Sequence, residues 1–336
     1  MNSKPTPKKF DAILVAGEGE SSYKVYHRHK AFLKLEGKCI VNYVVETLQQ
    51  VESIKDIYIV GLKDRLQQTL KEANIDLNYP KRIFVVQQRD NLYENIWRTF
   101  LKTLPNEGNP PDLANSEHKD TAVLIVPCDA PLIAPDEVDY FIANCDLENY
   151  DHVLGLVSER NLEYFYPRDN RPGIKMAYLH LKEKSCRINN LHLVKPLRIL
   201  NREYIRDMYQ YRYQRNIKNV ILFGLKLIGK DRLERFKYYL GLEACLLFAS
   251  LGMRPMVDYF RDWTPKREFE QCISRIMKTR FVGLETPFPG AALDIDNDRD
   301  YETIKVRFKE WREYLARLDR SVPLPIRSES AAYNKA

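Results

Sequence analysis

Two groups of acidic residues in this 336-residue chain have the neighbours expected of a metal site. Asp129 follows an apolar run at 122–126 and lies between two prolines. Asp294 and Asp296 lie two residues apart in an apolar run at 290–296 that is expected to form a strand, so their side chains are expected to point to the same face. A carboxylate at the carboxyl end of a buried strand is well placed to hold a hard cation against a phosphate. Mg²⁺ takes only one or two protein carboxylates and fills its other positions with water and phosphate oxygens, so Asp129 with Asp296 is sufficient.

Helix capping is the competing interpretation of both groups. Asp136 and the Ala134-Pro135 pair lie closer than Asp129 to the next helix start, which disfavours capping by Asp129. Asp298 stays a candidate cap for a helix that we expect from Asp300 onward.

A turn with two glycines, Gly17 and Gly19, follows Ala16 and leads into a basic stretch. Glycine lets backbone N–H groups approach phosphates, and the cations downstream are able to neutralise a triphosphate. These cationic and titratable residues are Lys24, His27, Arg28, His29 and Lys30. Two glycines alone favour an ordinary tight turn between a strand and a helix.

A polar segment at 87–95 also follows an apolar run and opens a helical pattern. Its amide side chains, Gln87 and Asn91 among them, are able to read a base edge or a ribose. For Asn91 the helix N-cap is the favoured interpretation.

The elements that must position these residues alternate along the first 150 residues. Apolar runs rich in Val and Ile predict buried parallel strands, and helical patterns lie between them. The strands are expected at 11–16, 57–61, 82–87 and 122–126, and helices at 40–50 and 92–104. This alternation predicts an α/β fold with a Rossmann-like, mostly parallel open sheet and helices on both faces. Ligands of such sheets bind beyond the carboxyl ends of the strands.

After residue 150 the pattern loosens. We expect a strand at 152–157, a ribbon over the site from 174–182 and 191–195, a long helical tract over 201–251 and a strand at 290–296. The expected domains are a catalytic core at 10–197, a helical insertion at 198–280 and a return to the core at 281–320.

The segment 198–240 carries eleven Lys or Arg and four Asp or Glu, so its net charge is +7. This equals the net charge of the whole chain. Tyrosines and phenylalanines are interleaved with these charges, and an apolar run occupies 219–228. The favoured interpretation is an appended helical subdomain with solvated cations. A second is a helix resting on an anionic membrane, and nucleic-acid binding ranks lowest because no RNA-binding module is recognisable.

The composition excludes several classes of protein. Hydrophobic residues make up 44% of the chain, which is enough for a large core. The chain has no uninterrupted apolar stretch of 18 residues, so a membrane-spanning helix is not expected. The six cysteines show no CxxC pair, and Lys4, Lys8 and Lys9 lead into a short strand rather than a signal peptide. We therefore expect a cytoplasmic protein with reduced thiols, with membrane association as the alternative location.

Together these residues resemble the nucleotidyltransferases with a GT-A-like Rossmann fold, especially the molybdenum-cofactor-guanylyltransferase-like NTP transferase group. The resemblance rests on LVAGEG at 14–19 with the segment at 29–48, on PCDAPLI at 127–133 and on ALDIDNDRDYETI at 292–304. RINNLHLVKP at 187–196 resembles an acceptor-side strand of some members.

The resemblance implies roles for individual residues. Gly17 and Gly19 would wrap the triphosphate, Lys30 would contact its phosphates, Asp129 and Asp296 would hold Mg²⁺, and Asn190 would face the acceptor. Two positions depart from the family pattern. Ser21 and Ser22 stand where an arginine usually follows the second glycine, so Lys24 or Arg28 would substitute for it, and Cys39 replaces the proline of the family's "GKP" turn.

The implied reaction is transfer of a nucleoside monophosphate from an NTP to a phosphorylated small molecule, with release of pyrophosphate. The alternatives are a non-catalytic nucleotide-binding or regulatory protein on the same fold, which the missing arginine favours, and a metal-dependent GT-A-like glycosyltransferase, which the glycine turn with its lysine disfavours.

Overall fold

A computed structural model of the chain describes residues 8–17, 25–105, 117–202 and 232–321. The strands are β1 (Phe10–Ala16), β2 (Lys34–Leu35), β3 (Lys38–Cys39), β4 (Ile54–Gly61), β5 (Ile83–Gln87), β6 (Val123–Pro127), β7 (His152–Ser158), β8 (Leu179–His180), β9 (Ser185–Val194) and β10 (Phe281–Thr286). The helices are α1 (Ile40–Gln50), α2 (Lys63–Glu72), α3 (Leu92–Thr103), α4 (Pro135–Asn144), α5 (Glu159–Leu162), α6 (Arg232–Ser250), α7 (Arg254–Arg261), α8 (Lys266–Met277) and α9 (Asp298–Ser321).

One eight-stranded sheet organises the fold, with the order β10-β7-β9-β6-β1-β4-β5 and with β8 paired to β9. The pairs β1–β4, β1–β6, β4–β5 and β7–β10 are parallel. β9 lies between β6 and β7 and is antiparallel to both. The predicted mostly parallel α/β sheet is therefore confirmed, and the carboxyl ends of its parallel strands share one edge.

Helices cover both faces of the sheet, as predicted. On one face Ala12 and Leu14 pack in one cluster with four apolar residues of α1, Val41, Val44, Val45 and Leu48, which are spaced three or four residues apart along one side of the helix. On the other face Ile13 packs with Phe100 of α3. Successive residues of β1 thus serve opposite faces, which explains its unbroken apolar sequence.

Two predictions for the second half of the chain are wrong. Residues 191–194, predicted as part of a ribbon over the site, form the end of β9 inside the sheet. Residues 290–296 form no strand: a 3₁₀ turn spans Gly290–Ala292 and an irregular segment follows. The apolar residues of this segment are buried because the segment packs against the end of β6, where Ile295 N–H donates to the Asp129 carbonyl at 3.0 Å.

An ion cluster closes the opposite, amino edge of the parallel strands. The Arg280 guanidinium binds both oxygens of Asp151 at 2.8 and 2.6 Å, and Lys195 Nζ lies 3.6 Å from Asp151 and 3.3 Å from Asp120. Arg198 binds both oxygens of Asp120 at 3.0 and 2.8 Å. These residues flank β6, β7, β9 and β10, so we call the group the amino-edge clasp.

The chain segments beside the clasp are bonded to each other. Leu200 N–H donates to the Lys278 carbonyl at 3.4 Å, and Asn201 N–H donates to the Met277 carbonyl at 3.2 Å. The two ends of the excursion that carries α6, α7 and α8 therefore lie side by side.

Most of the basic segment 198–240 lies outside the described residues, including the apolar run at 219–228. From 232 onward the chain forms α6, which pairs with α7 through stacked rings of Phe248 and Phe260. No helix in the described ranges is long and apolar enough to cross a membrane.

Candidate active site

The carboxyl edge of β1 and β6 brings the two halves of the predicted site together. Val15 pairs with Pro127 in the parallel ladder, so the turn at Gly17 and the segment holding Asp129 leave the sheet side by side. After β1 the chain continues to β4, which lies on one side of β1 in the sheet, whereas β6 lies on the other side of β1. This is a topological switch point, where open α/β sheets bind their ligands.

Lys30 bridges the two predicted metal carboxylates. Its Nζ lies 3.0 Å from Asp129 Oδ2 and 3.4 Å from Asp296 Oδ1. Burial of the ammonium lowers its pKa, but the nearby charges of Asp129 and Asp296 outweigh burial and raise the pKa above its usual value. Lys30 is therefore charged at neutral pH, and its ammonium lies between the carboxylates of Asp129 and Asp296.

A short 3₁₀ turn at Lys30–Phe32 holds the lysine in place. His29 caps this turn, because its Nδ1 accepts the Ala31 N–H at 3.1 Å. The loop before it approaches the start of α9, since Tyr26 N–H donates to Asp298 Oδ1 at 2.8 Å.

The second acidic segment, residues 292–297, is anchored on several sides. Both carboxylate oxygens of buried Glu137 accept the Ala291 N–H at 3.0 Å. Asn297 Oδ1 accepts the Asp300 N–H at 3.0 Å at the start of α9. The side chain of Asp296 is 51% exposed, which leaves its carboxylate accessible from the solvent side.

Asp294 has a different environment from Asp296. Its side chain is 14% exposed and pairs with Arg187 of β9, whose Nη2 lies 2.8 Å from Asp294 Oδ1. Burial and the charges of Asp296 and Asp129 raise the pKa of Asp294 to about 6, against the opposing effect of Arg187. The prediction that both aspartates share one face of a strand is wrong, because the segment is irregular.

The structure describes the first residues of the predicted triphosphate loop, Ala16 and Gly17. Ala16 is buried at the end of β1, so only its backbone faces the site. A Cβ added to Gly17 would lie 2.8 Å from Asn95 Nδ2 and 3.5 Å from Gln88 Oε1, so the absence of a side chain permits this close packing. Gly19 and Lys24 lie outside the described residues.

Three further predicted residues lie near this edge with structural contacts of their own. Gln87 Oε1 accepts the Lys63 N–H at 3.2 Å, and Asn91 Oδ1 accepts the Glu94 N–H at 2.9 Å as the N-cap of α3. Arg28 is exposed and pairs with Val25 through the backbone. Their predicted contacts with a nucleotide stay predictions.

Asn190, the predicted acceptor residue, lies at an irregularity of β9. Its φ is +60°, and the register between β7 and β9 shifts beside it. The neighbouring Asn189 is fully buried, and its Oδ1 accepts the Leu191 N–H at 3.2 Å. Asn190 itself is partly exposed, and its role toward an acceptor stays a prediction.

Two side chains near the site received no individual role from the sequence. Arg187 begins the RINNLHLVKP segment, and a cation inside a buried strand requires an acidic partner, which is a signal that the sequence contains. Asn95 closes the polar segment 87–95, whose amide side chains are predicted to read a base or a ribose, and its Oδ1 accepts the Arg89 N–H. Its side chain also lies against Gly17, a contact between β1 and α3 that sequence spacing does not show.

Within the ranges that the structure describes, no group of three or more His, Cys, Asp or Glu side chains is arranged as a metal site. Asp129 and Asp296, the two carboxylates predicted to hold Mg²⁺, both lie within 3.4 Å of Lys30 Nζ, and their role as metal ligands stays a prediction.

Comparisons with known proteins agree with this fold. The family model of the MobA-like NTP transferase domain matches residues 12–223, which include Lys30, Asp129 and Arg187 but not the second acidic segment. A search among curated proteins finds no significant match.

Solved structures extend the likeness over most of the chain. A hypothetical transferase from Thermus thermophilus is 20% identical, with a TM-score of 0.54 over 87% of this chain and 99% of that one, which supports the fold. A 4-diphosphocytidyl-2C-methyl-D-erythritol synthase from Anaerococcus prevotii is 15% identical, with a TM-score of 0.39 over 59% of this chain and 74% of that one. A CMP:2-keto-3-deoxy-manno-octonic acid synthetase in complex with CTP is 10% identical, with a TM-score of 0.43 over 90% and 99%. The last two scores are too low to carry an argument.

Proposed function

Because the chain belongs to the MobA-like NTP transferase domain family and is therefore a nucleotidyltransferase, we propose that it transfers a nucleoside monophosphate from an NTP to a phosphorylated small molecule. The acceptor is a sugar, polyol, cofactor or lipid-precursor phosphate, and pyrophosphate is released. The observation that carries the proposal is the convergence of Lys30, Asp129 and Asp296 beside Gly17 at the switch point of the sheet.

The residues present fit a divalent cation. Asp129 and Asp296 already approach one positive charge, and carboxylate oxygens are the ligands that Mg²⁺ prefers. We assign Mg²⁺ to these two side chains. When bound, the ion offsets the charge of the triphosphate and polarises the α-phosphoryl group.

The reaction is an in-line displacement at the α-phosphorus. An acceptor phosphate oxygen forms the new bond to phosphorus, and the bond to the bridging oxygen of the β-phosphate breaks, so that pyrophosphate leaves with the electron pair. Lys30 balances charge on the phosphates, and the backbone at Gly17 and Gly19 lies against them. Lys24 or Arg28 supplies the cation that the family places in the loop, and Gln87, Asn91 and Asn190 contact the base and the acceptor.

The basic segment 198–240 belongs to a helical insertion at 198–280, between a core at 10–197 and its return at 281–320. Its excess of cations suits peripheral contact with an anionic membrane, where a lipid-precursor phosphate would be presented.

A pyrophosphate-release screen tests the proposal. The purified protein is supplied with Mg²⁺ and each of four NTPs against a library of phosphorylated metabolites. At least one combination is expected to release pyrophosphate in proportion to a new nucleotidyl product. Nucleotide binding without pyrophosphate release across the whole library would contradict transfer.

Substitutions then test the metal assignment. Asp129→Asn is expected to lower turnover at least about a thousandfold and Asp296→Asn about a hundredfold, because each removes a charged ligand of the ion. Asp64→Asn, at an exposed site in the first turn of α2, is the matched control and should keep wild-type turnover. Full activity in a folded Asp129→Asn protein would remove Asp129 from the site.

A further inference from the structure

Arg187 reaches the candidate site from β9. β9 is antiparallel to β6 and β7, so its N-terminal end arrives at their carboxyl edge. The backbone of Arg187 is paired with Val157 of β7, which fixes the position of its Cα. The side chain is 15% exposed and points to the second acidic segment.

The guanidinium of Arg187 contacts three positions of that segment. Its Nε donates to the Ala292 carbonyl at 3.0 Å, and its Nη2 donates to Asp294 Oδ1 at 2.8 Å. The same Nη2 lies 3.9 Å from Asp296 Oδ2. The planar fork of arginine makes the first two contacts at once, whereas the single ammonium of a lysine cannot reproduce their geometry.

The two oxygens of Asp296 face different cations. Lys30 Nζ lies nearest Oδ1, and Arg187 Nη2 lies nearest Oδ2. If Lys30 turns to the phosphates of a bound NTP, Arg187 is the remaining cation of the pair beside Asp296. Because Arg187 also holds Ala292 and Asp294, it restrains the backbone on which Asp296 is carried.

We propose that Arg187 is a positioning residue, which holds the irregular segment 292–296 so that the Asp296 carboxylate stays aligned with Asp129 for a divalent cation. This assignment rests on the proposed function, since it concerns the metal of that reaction. Arg187 acts through Asp296 and not by touching the reacting phosphates. Groups that orient metal ligands commonly change metal affinity by about 10- to 100-fold when they are removed.

Mn²⁺ binding, measured by electron paramagnetic resonance with and without an NTP, tests the role without requiring turnover. Arg187→Gln is expected to weaken Mn²⁺ binding about tenfold or more, and Arg187→Lys by less, because lysine keeps the charge but loses the fork. At saturating metal, the Kd for the NTP should stay close to the wild-type value.

A double variant separates positioning from plain structural support. Arg187→Gln alone leaves the buried Asp294 carboxylate without its partner, whereas Arg187→Gln with Asp294→Asn removes both charges. The double variant should recover the wild-type melting temperature and still bind Mn²⁺ weakly. Recovery of both the melting temperature and Mn²⁺ affinity would show a structural ion pair only and overturn the proposal, as would wild-type Mn²⁺ affinity in Arg187→Gln.

The wild-type protein distinguishes this proposal from the proposed function. If it binds Mn²⁺ with NTP but releases no pyrophosphate with any acceptor, nucleotidyl transfer fails while the role of Arg187 is still decided by Mn²⁺ affinity. If it binds no Mn²⁺ under either condition, both proposals are overturned.

Discussion

Replacement of Lys30 by methionine is expected to have opposite effects on metal binding and on turnover. The ammonium lies 3.0 Å from Asp129 and 3.4 Å from Asp296, in the place where the two carboxylates converge. A divalent cation that binds both carboxylates must displace this ammonium. Lys30→Met removes the competitor, so metal should bind more tightly in the absence of nucleotide even though a phosphate contact is lost.

The size of the effect follows from the distances and the burial. At an effective dielectric constant of about 20, a pair at 3.0 Å attracts by about 5.5 kcal/mol. The pair with Asp296 is weaker, about 1 kcal/mol in a water-like dielectric, because that carboxylate is 51% exposed. After the cost of burying the ammonium, a net of about 2–3 kcal/mol remains to be displaced by the metal, which corresponds to an affinity gain of about 30- to 150-fold.

Mn²⁺ titration measures the metal affinity, and urea unfolding measures the free energy of unfolding. In EDTA the Lys30→Met protein should be less stable than the wild type by about 1–3 kcal/mol, because Asp129 loses its partner, and Mn²⁺ should restore much of the loss. Turnover should fall at least about a hundredfold. Lys34→Met, at an exposed position on β2, is the charge control and should change none of these values. Metal affinity in Lys30→Met equal to or below that of the wild type would refute competition between the ammonium and the metal.

Two further predictions concern the sheet beside the site. His152 and His192 are hydrogen-bonded at 3.1 Å, and burial lowers their pKa to about 3 and about 4, with the charge of His192 adding to the effect on His152. Histidines of the unfolded chain bind protons near pH 6.5, so the free energy of unfolding should fall as the pH drops from about 6.5 to about 4. The limiting slope is about 1.4 kcal/mol per pH unit for each ring. Urea unfolding of a His152→Leu/His192→Leu protein measures the same slope without the two rings, and an unchanged slope would contradict the prediction. Gly155→Ala should destabilise the fold by about 1–3 kcal/mol, because the new Cβ would lie 1.9 Å from Asn189 Oδ1. Adding Asn189→Ala should recover part of that loss in the same unfolding assay, and additive losses would exclude the clash.

The elements predicted well are those that carry their own local signal. β1 and β6 are buried on both faces, so their sequences are continuous apolar runs that need no partner to be recognised. α1 was predicted at the residues where it occurs, because its apolar positions recur with helical spacing. Asn91 caps α3 as expected, because the N-cap bond is made within four residues.

The arrangements that escaped prediction depend on contacts between distant parts of the chain. Nothing local in 185–194 specifies that β9 enters the sheet between β6 and β7, since its partners lie far away in sequence. The segment 290–296 has the composition of a strand because it is buried, but it packs at the end of β6 instead of pairing. Arg187 and Asp294 are 107 residues apart in the sequence, and only the folded structure shows that they are in contact.

The amino-edge clasp lies at the opposite end of the parallel strands from Lys30, Asp129 and Asp296. The excursion beginning near Asn201 and returning near Thr279 starts and finishes at neighbouring points, which Arg280, Asp151 and the backbone bonds of Leu200 and Asn201 hold together. The excursion also packs on the sheet, where Gly283 N–H of β10 donates to Glu270 Oε1 of α8 at 2.9 Å. Because both of its ends are held at the amino edge, a change of charge at its exposed residues is expected to leave the spacing of Lys30, Asp129 and Asp296 at the carboxyl edge unchanged.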